Sequence, residues 1–208
     1  MANYHSQDGI IWTWAAAYAV NRCLQKKHRV GKSVLSAIVV LSTGDKREWK
    51  NLDAIDDYLM SHGVSLSRVP LKYLLRCLVS SSLIKKDNMH NRRNPSPYIL
   101  LPVRSYYDQG AFWGGCIFFR ITQSGIQIGY RGIDIVMRLA MGASVSTCYR
   151  STKAISAAIL GRPSSSTTLT QVMNLLEEIG AVQRHGKGSR VWTIIFATKK
   201  RAPFLCSR

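Results

Sequence analysis

The sequence predicts an α+β chain, mainly helical, built as two tandem units that each end in a β-hairpin. Three observations carry this expectation. Apolar residues recur at helical spacing in several separate runs, short β-branched and aromatic runs flank polar turns, and the same order of elements occurs twice. A chain of 208 residues with 46% hydrophobic and 9% aromatic content can build real cores, as one large domain or two small ones.

Ile10 to Val20 (IIWTWAAAYAV) is the most apolar stretch, yet at about half of the roughly 20 residues needed it does not span a bilayer. Arg22, Lys26, Lys27 and Arg29 follow it, the reverse of a secretory signal. It reads as an N-terminal helix within 1–30, buried or packed on a partner. In the first unit, 31–128, Lys32 to Leu41 and Asn51 to Met60 read as helices, and SHGVS supplies a turn. Ser67 to Val79 gives a third helix with Val69, Leu71, Leu74, Leu75 and Leu78 as its buried face and Pro70 in its first turn. Leu83 to Lys86 and Tyr98 to Val103 would flank a polar wing, DNMHNRRNPSP. The aromatic and glycine-rich segment from Arg104 to Ile128, with a strand over Cys116 to Thr122, reads as an extra hairpin turned at Gly110, Gly114 and Gly115. Its aromatics would pack across strands, or Tyr106, Tyr107, Phe112 or Trp113 would stack on bases or form a dimer seam.

The last unit, 129–208, repeats the order. Gly132 to Met141 places Ile133, Val136, Met137 and Ala140 on one face, and Ser151 to Leu160 does the same with Ala154, Ile155, Ala158 and Ile159 before Gly161, Arg162 and Pro163 stop it. Ser164 caps a third helix whose stripe is Leu169, Val172, Met173, Leu176 and Ile179, with Gly180 as the stop. Val182 to His185, the turn HGKGS and Val191 to Phe196 form a two-stranded hairpin. Helix, short helix, turn, longer helix, hairpin is the winged helix-turn-helix order. The expected architecture is therefore tandem winged helix-turn-helix domains with β-hairpin wings, repeating at roughly 90 residues.

The run IDIVMRLAM followed by STKAISAAILGRPSSSTTLTQVMNLLEEIGAVQRHGKG resembles winged helix-turn-helix transcriptional regulators, especially the Rrf2-like group, over about a third of the chain. The resemblance implies a third helix, Ser164 to Asn174, in the major groove and a wing, His185 to Arg190, on backbone or minor groove. Iron-sulfur members carry clustered cysteines after the wing. Here only Cys206 follows, so no cluster is implied. FFRITQSG also looks like the closing strand of other winged-helix domains, which fits a unit ending near 129.

The net charge of +18, spread along the chain, points to a polyanion, with double-stranded DNA first and an anionic membrane surface second. Thr167, Gln171 and Asn174 share a face opposite the apolar stripe; Gln and Asn can pair bidentately with adenine, while Ser165, Ser166 and Thr170 can bond phosphates. Lys153, Arg162, His185, Lys187 and Arg190 would supply the sequence-independent attraction. In the first unit Arg68, Lys72 and Arg76 form a basic stripe, and Arg92 and Arg93 sit in the wing. Asp53, Asp56 and Asp57 on the preceding helix would repel DNA or pair with those bases, or turn this unit to subunit pairing.

Five scattered cysteines imply neither a disulfide framework nor a zinc knuckle and fit a reducing cytoplasm, nucleoid-associated. VGKS lacks the earlier P-loop glycine, GKGSRV breaks the dinucleotide pattern, and no histidine stands at metal-ligand spacing. The expectation is a non-enzymatic, cofactor-free, sequence-specific DNA-binding transcription regulator, dimeric on a two-fold operator. The rivals are a plasmid or phage replication initiator and a scaffold that binds protein or RNA.

Overall fold

Fourteen short elements are seen in a computed structural model that describes residues 7–23, 30–86, 97–103, 109–123, 128–142, 148–161, 167–186 and 191–194. These residues fall into two compact units, within Tyr4–Ser105 and Tyr106–Arg208. The architecture is α+β and mostly helical, with one three-stranded antiparallel sheet in each unit.

In the first unit the apolar run at the N-terminus folds as α1 (Gln7–Cys23), which packs on α2 (Lys32–Thr43) and α4 (Arg68–Ser80). Ile10, Trp12, Ala16, Ala17 and Val20 are buried there against Leu35, Ile38 and Leu41 of α2 and the leucines of α4. The Trp12 indole donates to the Leu101 carbonyl at 3.2 Å, so the one polar atom of this side chain is satisfied. α3 (Leu52–Ser61) starts where Asn51 turns extended and accepts the Ala54 amide at 2.9 Å. On α4 the leucines at 71, 74, 75 and 78 are buried, but Val69, expected on the same face, is 66% exposed. At 100° per residue, position 69 falls nearly opposite position 71, so it leaves the stripe.

The second unit repeats this plan with α5 (Gln109–Gln123), α6 (Tyr130–Gly142), α7 (Thr152–Leu160) and α8 (Thr167–Glu178). The Ser151 hydroxyl accepts from Ala154 N at 3.1 Å, the counterpart of Asn51 about a hundred residues earlier. Gly132 is the close-approach point of α6: a Cβ there would meet Ile128 Cγ1 at 2.6 Å and Val172 Cγ2 at 3.2 Å. Gly180, with φ +74°, ends α8 as expected, and the Ala181 amide then bonds back to Leu176 O at 2.7 Å.

Expectations for the aromatic segment are corrected. Residues 109–123 of the aromatic segment, Cys116 to Thr122 among them, form α5 rather than a hairpin or a strand, and α5 packs on α6 as α1 packs on α2, while Tyr106 and Tyr107 lie outside the described residues. Every residue from Ala111 to Phe119 is buried, so the segment is apolar all round and shows neither helical nor strand periodicity. Each helical glycine costs about 1 kcal/mol relative to alanine, a cost that burial of Phe112, Trp113, Ile117, Phe118 and Phe119 outweighs. The described part of FFRITQSG, Phe118 to Gln123, is accordingly the end of a helix rather than a closing strand.

The hairpins also gain a strand. β1 (Glu48–Trp49) joins β2 (Ile84–Lys86) and β3 (Tyr98–Leu100) in the order β1-β3-β2, and β4 (Cys148–Tyr149) joins β5 (Val182–Arg184) and β6 (Trp192–Ile194) in the order β4-β6-β5. The registers match: Trp49 and Lys86 flank Tyr98, and Tyr149 and Arg184 flank Trp192. Two-residue strands are too short to show alternation, which is why they escape a reading by periodicity. Equivalent elements lie about a hundred residues apart, somewhat more than the 90 expected.

Candidate nucleic-acid interface

The outward face of α8 follows from its inward one. Leu169, Val172, Met173 and Leu176 are buried against α6 and α7, so at 100° per residue Thr167, Thr170, Gln171 and Asn174 are turned to solvent, and all four are exposed. These side chains are uncharged, and their donors and acceptors stand on a rigid element. Lys153, on α7, is also exposed.

Gln171 and Asn174 form one wall of a groove of about 630 Å³, with Thr168, Val172, Leu175 and Glu178 beside them and residues 128–132 opposite. Arg131 lies at its rim, donating through Nε to the Tyr130 hydroxyl at 3.0 Å. Glu178 puts a negative charge at the C-terminal end of α8, where the helix dipole is also negative. An anion therefore finds the N-terminal two turns the more favourable end.

Arg184 organises the junction between α8 and the sheet. It stands on β5 opposite Trp192 of β6, with its guanidinium carbon 4.2 Å from the indole centroid. Its Nη2 donates to Asn174 Oδ1 at 2.8 Å and pairs with Glu177 Oε2 at 3.0 Å. At the next residue, His185 Nε2 meets Thr193 Oγ1 at 2.6 Å, and the His185 amide bonds Val191 O at 3.1 Å, beside the β5–β6 pair. Sequence reading missed Arg184 because it treated Arg and Lys of this region as a diffuse charge. The available signal was its place on the first strand of the hairpin, opposite a tryptophan.

In the first unit Arg68, Lys72 and Arg76 are exposed on α4 as one stripe. The acidic residues of α3 do meet it: Arg68 Nη2 lies 3.2 Å from Asp53 Oδ1. Both partners are about two-thirds exposed, so this pair is weak and competes poorly with a phosphate. Asp56 is half-buried and Asp57 exposed on α3. The match to Arg184 over Trp192 is Lys86 over the Tyr98 ring, at 5.5 Å.

Arg92, Arg93, Arg162, Ser164, Ser165, Ser166, Lys187 and Arg190 lie outside the described residues, and with them the expected wing turns and the expected cap of α8. No helix among the described residues is long and apolar enough to cross a membrane. Comparison with family models, with curated proteins and with solved structures gives no match for this chain, so its functional reading rests on the residues and geometry above.

Proposed function

We propose that the protein is a sequence-specific double-stranded DNA-binding regulator of transcription with two winged helix-turn-helix units. α8 is its reading helix, and the turn between β5 and β6 its wing. The observation that carries this reading is the duplicated order of helix, helix, strand, helix, helix, strand, strand, with the first strand paired to the last. In each copy the fourth helix is left with an uncovered polar face, the arrangement by which a winged helix presents one helix to the major groove. Thr167, Thr170, Gln171 and Asn174 supply base-reading groups, and the +18 charge supplies the attraction to phosphate. Lys72 and Arg76 of α4 add phosphate contacts from the first unit. Subunits pair on a two-fold site, and no cofactor or catalysis is involved.

The test is selection of random duplexes by the full chain, with winners and a scrambled control measured at two salt concentrations. The expected result is an enriched motif preferred by at least about a thousandfold. Equal binding of every duplex, collapsing with salt, would reject sequence-specific reading. The duplication also favours a second reading, a replication initiator on direct repeats, and the symmetry of the enriched motif separates the two.

A further inference from the structure

If α8 reads bases, the contact that ties Asn174 to Arg184 determines what Asn174 can read; this inference rests on the function proposed above. A guanidinium has only donors, so the Asn174 atom that faces Arg184 Nη2 at 2.8 Å has to be the carbonyl oxygen. That fixes the flip of the amide, with Oδ1 toward β5 and the Nδ2 hydrogens on the other side of the group. The arrangement is stiff. Arg184 is held at once by Glu177, by Asn174 and by the Trp192 face, and its Nε is buried without a hydrogen-bond partner, so the grip comes from Nη2 and the indole.

An asparagine recognises adenine by accepting from N6 while donating to N7. Here one of the two lone pairs of the accepting atom takes a charge-assisted bond, the stronger kind, and that bond holds the oxygen toward β5, so the two Nδ2 hydrogens are the groups directed away from the sheet. In the major groove the edge that offers two acceptors is guanine, through N7 and O6. We propose that Arg184 is a positioning residue that holds Asn174 as a donor and so makes it a reader of guanine rather than of adenine. The wing strand thereby sets the specificity of the reading helix without touching a base.

The experiment compares base preference, position by position, for the full chain and the variants Asn174→Ala, Arg184→Met and Arg184→Lys in random-duplex selection. Each is checked by thermal melting for an intact fold. Asn174→Ala identifies the position that Asn174 reads. There the unaltered protein is expected to favour guanine over adenine by roughly five- to a hundredfold, the range of one good base contact. Arg184→Met is expected to bring that ratio to within about twofold or to reverse it, at that position alone, and Arg184→Lys to restore part of it. A merely structural role would lower affinity for all sequences alike and leave the pattern untouched.

Should Arg184→Met fail to fold, Asn174→Asp decides the matter, since it keeps a partner for Arg184 but replaces donors by an acceptor. Preference at the same position should then move from guanine to cytosine. No enriched motif with the unaltered protein would overturn the DNA-reading function and this proposal together. An enriched motif that Arg184→Met leaves unchanged, or changes uniformly, overturns the proposal alone, as does guanine preference retained by Asn174→Asp.

Discussion

The guanidinium of Arg184 lies over the indole of Trp192, 4.2 Å from the ring centroid, across a register pair of β5 and β6. Trp192 is 3% exposed, so its removal takes away both a large buried surface and the seat of Arg184. Trp192→Ala should destabilise the protein by about 3–5 kcal/mol. The coupling of Arg184 with Trp192, read from a double-mutant cycle in urea, should reach about 1–2 kcal/mol, because the pair is partly desolvated. The equivalent Lys86 and Tyr98 are 5.5 Å apart with Lys86 in solvent, and their coupling should stay below about 1 kcal/mol. Equal couplings would mean that burial does not govern these pairs.

A second pair of equivalent positions is occupied differently in the two units. Gly180 and Ser82 each follow the end of a helix with positive φ, +74° and +55°, and in each case the next amide bonds back to the helix, Ala181 N to Leu176 O and Leu83 N to Leu78 O. A side chain in this left-handed region is strained by about 1–2 kcal/mol, offset in part by the greater freedom that glycine loses on folding. Ser82→Gly should therefore stabilise the protein by about 0.5–1 kcal/mol, and Gly180→Ser should destabilise it by about 1 kcal/mol. Denaturant midpoints moving the opposite way would refute the motif.

Thr13 of α1 and Ser42 of α2 meet in the core, both essentially inaccessible to solvent. The contact looks strong, but the two hydroxyls hold two hydrogens for three bonds. Thr13 Oγ1 also faces Gly9 O, and Ser42 Oγ faces Val39 O, each at 2.9 Å. Either residue left alone keeps a backbone acceptor. The Thr13→Val, Ser42→Ala cycle should accordingly give a coupling below about 1 kcal/mol, the net worth of an ordinary hydrogen bond. A coupling above about 2 kcal/mol would show that the pair is a genuine buried lock.

Alkaline pH should weaken the fold in a defined window. Burial first, and the neighbouring Cys23 second, push the Cys77 thiol up to about 11, while an unfolded thiol titrates near 8.5. The unfolded chain loses its proton first, so stability is full below about pH 8.5 and is lost as pH rises toward about 11. Burial raises Tyr58 and Tyr149 as well, which extends the decline beyond pH 10. Urea denaturation between pH 8 and pH 11 should show this fall, with its first part missing in Cys77→Ala. At pH 8 the exposed Cys23 should react with iodoacetamide while Cys77 does not. Parallel pH profiles for the two proteins would exclude Cys77 as the source.

The helices of both units were legible because their buried faces are periodic. Leu169, Val172, Met173 and Leu176 repeat at three and four residues, and that spacing alone also places Thr167, Gln171 and Asn174 outside. The stop at Gly180 was legible too, where residue type and backbone geometry are tied, whereas Asn51 and Ser151, read as first helical residues, are the caps just before their helices. α5 was not, since a helix buried all round carries no period, and Gly110, Gly114 and Gly115 read locally as a turn. Val69 was miscounted because apolar character was taken for orientation.

What the sequence determined by itself is a mainly helical α+β chain in two copies, basic throughout, with a polar face on the last long helix. These follow from composition and periodicity, which act within one element at a time. Only the tertiary structure decided that α5 repeats α1, that Trp49 and Tyr149 lie in third strands, and that Arg184 holds Asn174 from another element ten residues away. Such relations depend on which surfaces of different elements meet. Their energies come from burial and direction in space, and no local pattern along the chain encodes either.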